Sequence, residues 1–197
     1  MASTSCTTSY SPSAIITAIL KVTHERIIPL TRESFAKGDD TFGAALDRDS
    51  HLEPVAVAVN AGHECLIYHG EANCIIKYSE IPPERRPVPE RCIFFATHEP
   101  CSLCLSAFAW TGFRVIYFLF TYEGIHRLLR ITDDVEIIRE VFQVPESESN
   151  KFFSVYSMHD LLEEVEDIQK RSELQKKVDA LRMAYDEFRP ITEGGSI

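Results

Sequence analysis

At 197 residues, with 45% apolar and 25% charged residues, the chain has room for one domain with a substantial core and is excluded from the disordered and fibrous classes. Its formal charge of −10 argues against nucleic acid or an anionic membrane as the main partner, because neutralising several phosphates needs a basic surface. The longest apolar runs, such as Val115 to Phe120, fall far short of the roughly 20 residues that span a bilayer, so a cytoplasmic protein with no membrane segment is expected.

Residues 1–12, rich in Ser and Thr and without a basic residue, read as a loose tail and not as a targeting segment. Ser11 and Pro12 suit a helix start, and Ile15, Ile19, Val22 and Ile27 recur at helical spacing, so a helix is predicted to about Ile28, where Pro29 ends or kinks it. Phe42 to Leu46 and Val55 to Val59, separated by a polar turn, predict a hairpin. The stretch GEANCIIKYSE has helical composition and stops at IPPERRPVPE, an exposed loop with four prolines in nine residues. CIFFATH, CSLCLSAFAWTG and FRVIYFLF then read as strand, helix and strand, a parallel crossover whose helix ends at Gly112. Asp133 and Glu136 head a further helix as N-cap and third residue, and Phe152 to Ser157 is a candidate last strand.

From Met158 the sequence is densely charged, with Leu174, Val178, Leu181, Tyr185 and Phe188 alternating spacings of four and three. This predicts one long amphipathic helix over 158–189, following a domain over 13–157 and preceding a tail over 190–197. Its apolar stripe packs either on its own domain or, as a short coiled-coil seam, on a second subunit.

The chemistry concentrates in two motifs. His69-Gly70-Glu71 opens one predicted helix, and Pro100-Cys101-Ser102-Leu103-Cys104 opens another about thirty residues on, with one strand between. Taken alone, the paired cysteines also fit a redox couple, or half of a structural zinc site completed by Cys65, Cys74, His63 or His98. The combination of H-x-E, a strand and P-C-x-x-C is more specific, and on it the chain resembles the cytidine deaminase-like superfamily of zinc nucleobase deaminases. The resemblance runs over roughly Phe42 to Phe120, from FGAAL and VAVAVN to HGEANCI and THEPCSLC. In motif style it is nearest the fungal cytosine deaminases, guanine deaminases and tRNA adenosine deaminases.

The resemblance implies an α/β fold, a three-layer α/β/α sandwich on a mixed five-stranded sheet, usually as a homodimer or a larger assembly. It implies that His69, Cys101 and Cys104 hold a Zn2+ ion with one position open for water, and that Glu71, not itself a ligand, moves protons. Asn60 would hydrogen-bond the base or ribose unless it merely caps a turn, and the backbone of Gly70 and Glu99 would meet the ring carbonyl and the leaving amine. The more common residue between the His and Glu is alanine, and Gly70 departs from it. The expected activity is hydrolytic deamination of a free nucleobase or nucleoside, a small-molecule partner. The competing readings are an editor of RNA or single-stranded DNA and a non-catalytic zinc-stabilised interaction module.

Other residues are read more plainly. Trp110 and Cys92 are expected in the core, His63 and His98 as local hydrogen-bonding groups, and Glu84 to Pro87 as a solvated loop. Phe152, Phe153 and Tyr156 are equally an aromatic lid over the base or core packing.

Overall fold

The computed structural model describes residues 10–48, 52–122, 137 and 150–188. Ser11 caps helix α1, Pro12–Val22, by accepting from the Ala14 N–H. The chain does not stop at Pro29. It passes through one wide π-type turn, Thr23–Ile27, into α2, Ile28–Phe35. Proline lacks the N–H for the ordinary helical bond and its ring crowds the preceding turn; widening that turn, with the Ile28 N–H reaching back to the Thr23 carbonyl, lets the helix continue.

Strands β1 (Gly43–Arg48) and β2 (Pro54–Val59) form the expected antiparallel hairpin, with a register shift between Leu46 and Asp47. Helix α3 spans Gly70–Ser79, β3 Cys92–His98, α4 Ser102–Thr111, β4 Val115–Phe120 and β5 Ser154–Ser157. The strands lie in the order β2-β1-β3-β4-β5; β1 is antiparallel to both neighbours, while β3, β4 and β5 run parallel. Gly112, at φ +88°, ends α4 in the left-handed conformation that glycine adopts without cost. The helix expected to start at Asp133 lies outside the described residues.

Alternate residues of the central strands feed two cores on opposite faces of the sheet. Ile93, Phe95, Tyr117 and Leu119 pack beneath α1 and the C-terminal helices, whereas Phe94 and Ile116 pack beneath α3 and α4. The C-terminal segment is not one helix. The Ser157/Asp160 capping box opens α5, Met158–Glu163, and Asp167 caps α6, Ile168–Ala184, which runs into a tight turn over Tyr185–Phe188. Leu174, Val178 and Leu181 are fully buried in the first core, and Tyr185 and Phe188 nearly so. The stripe therefore packs on its own chain and is no seam to a second subunit.

Three aromatic expectations are settled by this packing. Trp110 is 91% exposed on α4, on the surface and not in the core. Phe153 packs against Phe108 and Tyr156 against Tyr117, whereas Phe152 is half-exposed beside Lys151. The 84–87 loop is stapled to α3, where Arg86 donates to the Ser79 carbonyl and lies over the Tyr78 ring, and the Tyr78 hydroxyl donates to the Pro87 carbonyl. No helix among the described residues is long and apolar enough to cross a membrane.

Candidate metal centre and active site

The β2–α3 and β3–α4 connections bring two helix starts together on the α3/α4 face of the sheet. His69 is the N-cap residue of α3 and Cys101 that of α4, both with extended backbone, and neither side chain caps its own helix. They face each other instead. His69 Nδ1 lies 3.3 Å from Cys101 Sγ and 4.0 Å from Cys104 Sγ, and the two sulfurs are 3.5 Å apart. Zinc bonds of ~2.3 Å to sulfur at a tetrahedral angle place two sulfurs roughly 3.8 Å apart, so three donors at these separations fit one ion. An imidazole nitrogen with two thiol sulfurs is also the donor chemistry that zinc takes.

Among the described residues this is the one group of three potential metal donors found close together; Cys65, Cys74, His63 and His98 do not join it. Cys74 is buried on α3 with its thiol toward the Ala56 carbonyl, and Cys92 is buried with its thiol toward the Val88 carbonyl. Cys101 is held well below the usual thiol range, first by the Cys104 S–H donated to it and further by His69, against the opposing effect of burial. Cys104 is correspondingly pushed up by giving that hydrogen bond and by burial.

Glu71, in the first turn of α3, is 5% exposed, and its Oε2 lies 3.4 Å from Cys104 Sγ. Burial, then the Cys101 charge, raises its carboxyl to about 7. Asn60, 6% exposed at the end of β2, accepts the Gly70 N–H at 2.6 Å through Oδ1 and donates its own N–H to the Phe42 carbonyl. It thus does for α3 what the N-cap side chain His69 does not.

Gly70 sits where a side chain would be crowded. A Cβ there would stand 3.0 Å from the Phe42 carbonyl oxygen and 3.1 Å from Gly43 Cα, because the head of α3 lies directly on β1. Glu99 is held at the strand ends: its N–H goes to the Phe120 carbonyl and its carboxylate accepts the Tyr122 N–H. These bonds, with the Tyr122 hydroxyl donating to the Pro100 carbonyl, tie the exit of β3 to that of β4.

His98, fully buried, stacks on Phe120 and meets Phe42 and Tyr185 edge-on; burial lowers it to about 3, so it is neutral. Two polar groups behind the site were not anticipated, Ser34 in the last turn of α2 and Asp39 on the α2–β1 connection. Neither belongs to a local motif, so nothing in their spacing points to the site.

The family model of the cytidine and deoxycytidylate deaminase zinc-binding region matches residues 17–120, over half of the chain. The chain belongs to this family: it is a deaminase of the cytidine deaminase superfamily, with zinc as its metal. Among solved structures it resembles the guanine deaminase of Bacillus subtilis, at 20% identity and a TM-score of 0.51 over 66% of this chain and 85% of that one. A guanine deaminase from Nitrosomonas europaea matches at 16% identity and 0.50, over 86% and 85%. A tRNA deaminase associated with A-to-I editing at the wobble position matches at 21% and 0.47, over 70% and 98%. At these identities the likeness is one of fold. No curated protein matches the sequence.

Proposed function

We propose that the protein is a hydrolytic deaminase of a free nucleobase or nucleoside, converting an amino-bearing ring carbon to a carbonyl with water consumed and ammonia released. The observation that carries this reading is the convergence of His69, Cys101 and Cys104 with the buried Glu71 carboxylate beside them. The three donors hold zinc, which when bound supplies the Lewis acid that acidifies water. Glu71 accepts the proton so released and passes protons to the ring nitrogen and to the departing amine, which leaves as neutral ammonia. Its burial keeps those protons from solvent.

Asn60, with its carbonyl oxygen on the Gly70 N–H, turns its amide NH2 to the base. The backbone at Gly70 and Glu99 lines the ring edge and the leaving amine, held still by the hydrogen bonds each residue makes. A purely structural zinc module needs neither an open position nor a proton carrier, and Glu71 supports the catalytic reading over it. The formal charge of −10 supports a small-molecule substrate over a nucleic acid.

A homodimer completes this reading. Leu103 and Trp110, seven residues apart on one side of α4, are 39% and 91% exposed, an apolar pair suited to a second copy. Replacing Trp110 with Lys should then lower the mass in solution.

The activity is tested by ammonia release from guanine, cytosine, adenine and their ribonucleosides, with a single-stranded oligonucleotide in the same panel. Release from one small molecule is the expected result. Deamination of the oligonucleotide alone would favour the editing reading.

A further inference from the structure

Asp39 is a carboxylate in an unfavourable place. Its side chain is 2% exposed, and it follows the C-terminus of α2, where the helix dipole opposes a negative charge. The chain turns there through Gly38, at φ +89°, and the Asp39 N–H returns to the Ser34 carbonyl, so the carboxylate is set by the backbone. One oxygen accepts the His63 backbone N–H at 2.9 Å; the other lies 2.6 Å from His63 Nδ1 and 2.7 Å from Ser34 Oγ. Ser34 Oγ is in turn 2.5 Å from the Asn60 carbonyl oxygen. Burial raises the Asp39 carboxyl, but the Ser34 hydroxyl, the His63 N–H and the His63 ring together outweigh it and hold it below its ordinary value.

The segment gripped in this way is the one that matters for the site. It runs from Asn60 to His69, begins with the residue that caps α3 and ends with a metal donor. Asp39 holds it at His63 directly and at Asn60 through Ser34.

We propose that Asp39 is a positioning residue for the deaminase site, fixing Asn60 and the head of α3 through Ser34 and His63 without touching the reacting atoms. The proposal rests on the reading that Asn60 meets the base. It also makes a chemical distinction between two substitutions. Ser34 has one proton and shares it, in a three-centre hydrogen bond, between the Asp39 carboxylate and the Asn60 backbone carbonyl. In Asp39→Asn the new NH2 donates to Ser34 Oγ, which then gives its proton to Asn60, and His63 Nδ1 accepts the second amide hydrogen; the bridge survives. In Asp39→Ala it does not.

The test uses the full-length zinc-loaded protein and Asp39→Ala, Asp39→Asn and Ser34→Ala, the last removing only the bridging hydroxyl. Zinc content, kcat and KM are measured on whichever of guanine, cytosine, adenine or their ribonucleosides releases ammonia, and amide hydrogen exchange is measured at Gly70. Ser34→Ala and Asp39→Ala should raise KM about tenfold, with kcat little changed and zinc retained, the loss of one or two buried hydrogen bonds. Exchange of the Gly70 N–H should quicken by a similar factor, and Asp39→Asn should match wild type in both. An unchanged KM and unchanged Gly70 exchange in Ser34→Ala overturns the proposal, as does an Asp39→Asn protein no better than Asp39→Ala. Should Asp39→Ala fail to fold, Ser34→Ala decides. A wild-type protein that deaminates nothing, with Gly70 exchange still responding to Ser34→Ala, overturns the proposed function while the positioning stands.

Discussion

Gly70→Ala perturbs the site through packing alone. The added Cβ would lie 3.0 Å from the Phe42 carbonyl oxygen, 3.1 Å from Gly43 Cα and 3.2 Å from Gly43 C, where ordinary contacts begin at 3.4 Å. All three neighbours are backbone, so no side chain can rotate away. The relief must come from α3 backing off β1 by roughly 0.4 Å, the shortfall at the closest contact, and such overpacking costs about 1–3 kcal/mol. His69 and Glu71 flank the substituted residue and move with it. Catalytic groups tolerate displacements of only about 0.5 Å, so a fall in kcat/KM on the order of tenfold should accompany the loss of stability.

Urea unfolding measures the first quantity and ammonia release the second, with zinc content checking that the ion stays. Gly62→Ala is the control, since a Cβ there meets only Asp39 Oδ1, at 3.4 Å. That variant should be neutral or slightly stabilised. A Gly70→Ala protein with wild-type stability and turnover would refute the packing argument and return Gly70 to a neutral exchange for alanine.

Four further outcomes follow from the same geometry. His69→Ala, Cys101→Ala and Cys104→Ala should each lose the zinc found by metal analysis in wild type, whereas Glu71→Gln should keep it and lose turnover by at least the ~10²- to 10⁴-fold usual for general acid–base catalysis. Leu181→Ala, at a fully buried position, should destabilise by about 2–5 kcal/mol in urea, and cutting the chain after Ser172 should unfold the domain instead of releasing an independent arm. Tyr185→Phe removes a buried hydroxyl that meets the Thr97 and Thr31 side chains and should cost about 0.5–1.5 kcal/mol on melting. Asp39 has a folded value below its ordinary 3.8, so its stabilisation is present above that pH and is lost as the pH falls through the lower folded value. The stability advantage of wild type over Asp39→Asn should accordingly shrink as the pH falls below the ordinary 3.8 and through the lower folded value, with the neighbouring His63 and Glu64 common to both proteins.

What could be read from the sequence is what local pattern carries. The β3–α4–β4 crossover has a strand period, a glycine stop and a second apolar run in series, and the metal donors have diagnostic spacing. The hairpin follows from two short apolar runs and a polar turn. At Pro29 the sequence left a stop and a kink both open, because a proline rule says only that the ordinary helical bond is lost; whether the helix breaks or widens depends on what packs around Ile27 and Ile28, both buried. Trp110 misled because hydrophobicity was taken as burial, while α4 turns Cys104 and Phe108 inward and leaves Trp110 outside. The break between α5 and α6 was legible in Ser157, Asp160 and Asp167, but the continuous charge of the segment concealed it. Asp39 had no signal: its partners lie at Ser34, His63 and, through Ser34, Asn60, and only the folded chain brings them together.

The helix starts nevertheless contain a local sign of function. Helices α1, α5 and α6 are each capped by the side chain of their own N-cap residue, Ser11, Ser157 and Asp167. Helices α3 and α4 are not, since His69 and Cys101 stand at those positions and turn toward each other. A missing cap costs about 1 kcal/mol, and natural sequences break such local rules where a site needs the position. On α3 the deficit is met from outside by Asn60, a residue also suited to contact a base, so the same side chain that repairs the helix start is fixed in direction by doing so. The N-cap positions supply donors because there a side chain leaves the backbone just ahead of the helix axis, beside N–H groups that favour negative charge. Two such starts facing each other bring two thiols and an imidazole beside N–H groups that favour negative charge, and there Cys101, which also takes the Cys104 hydrogen bond and faces His69, is the thiol held low.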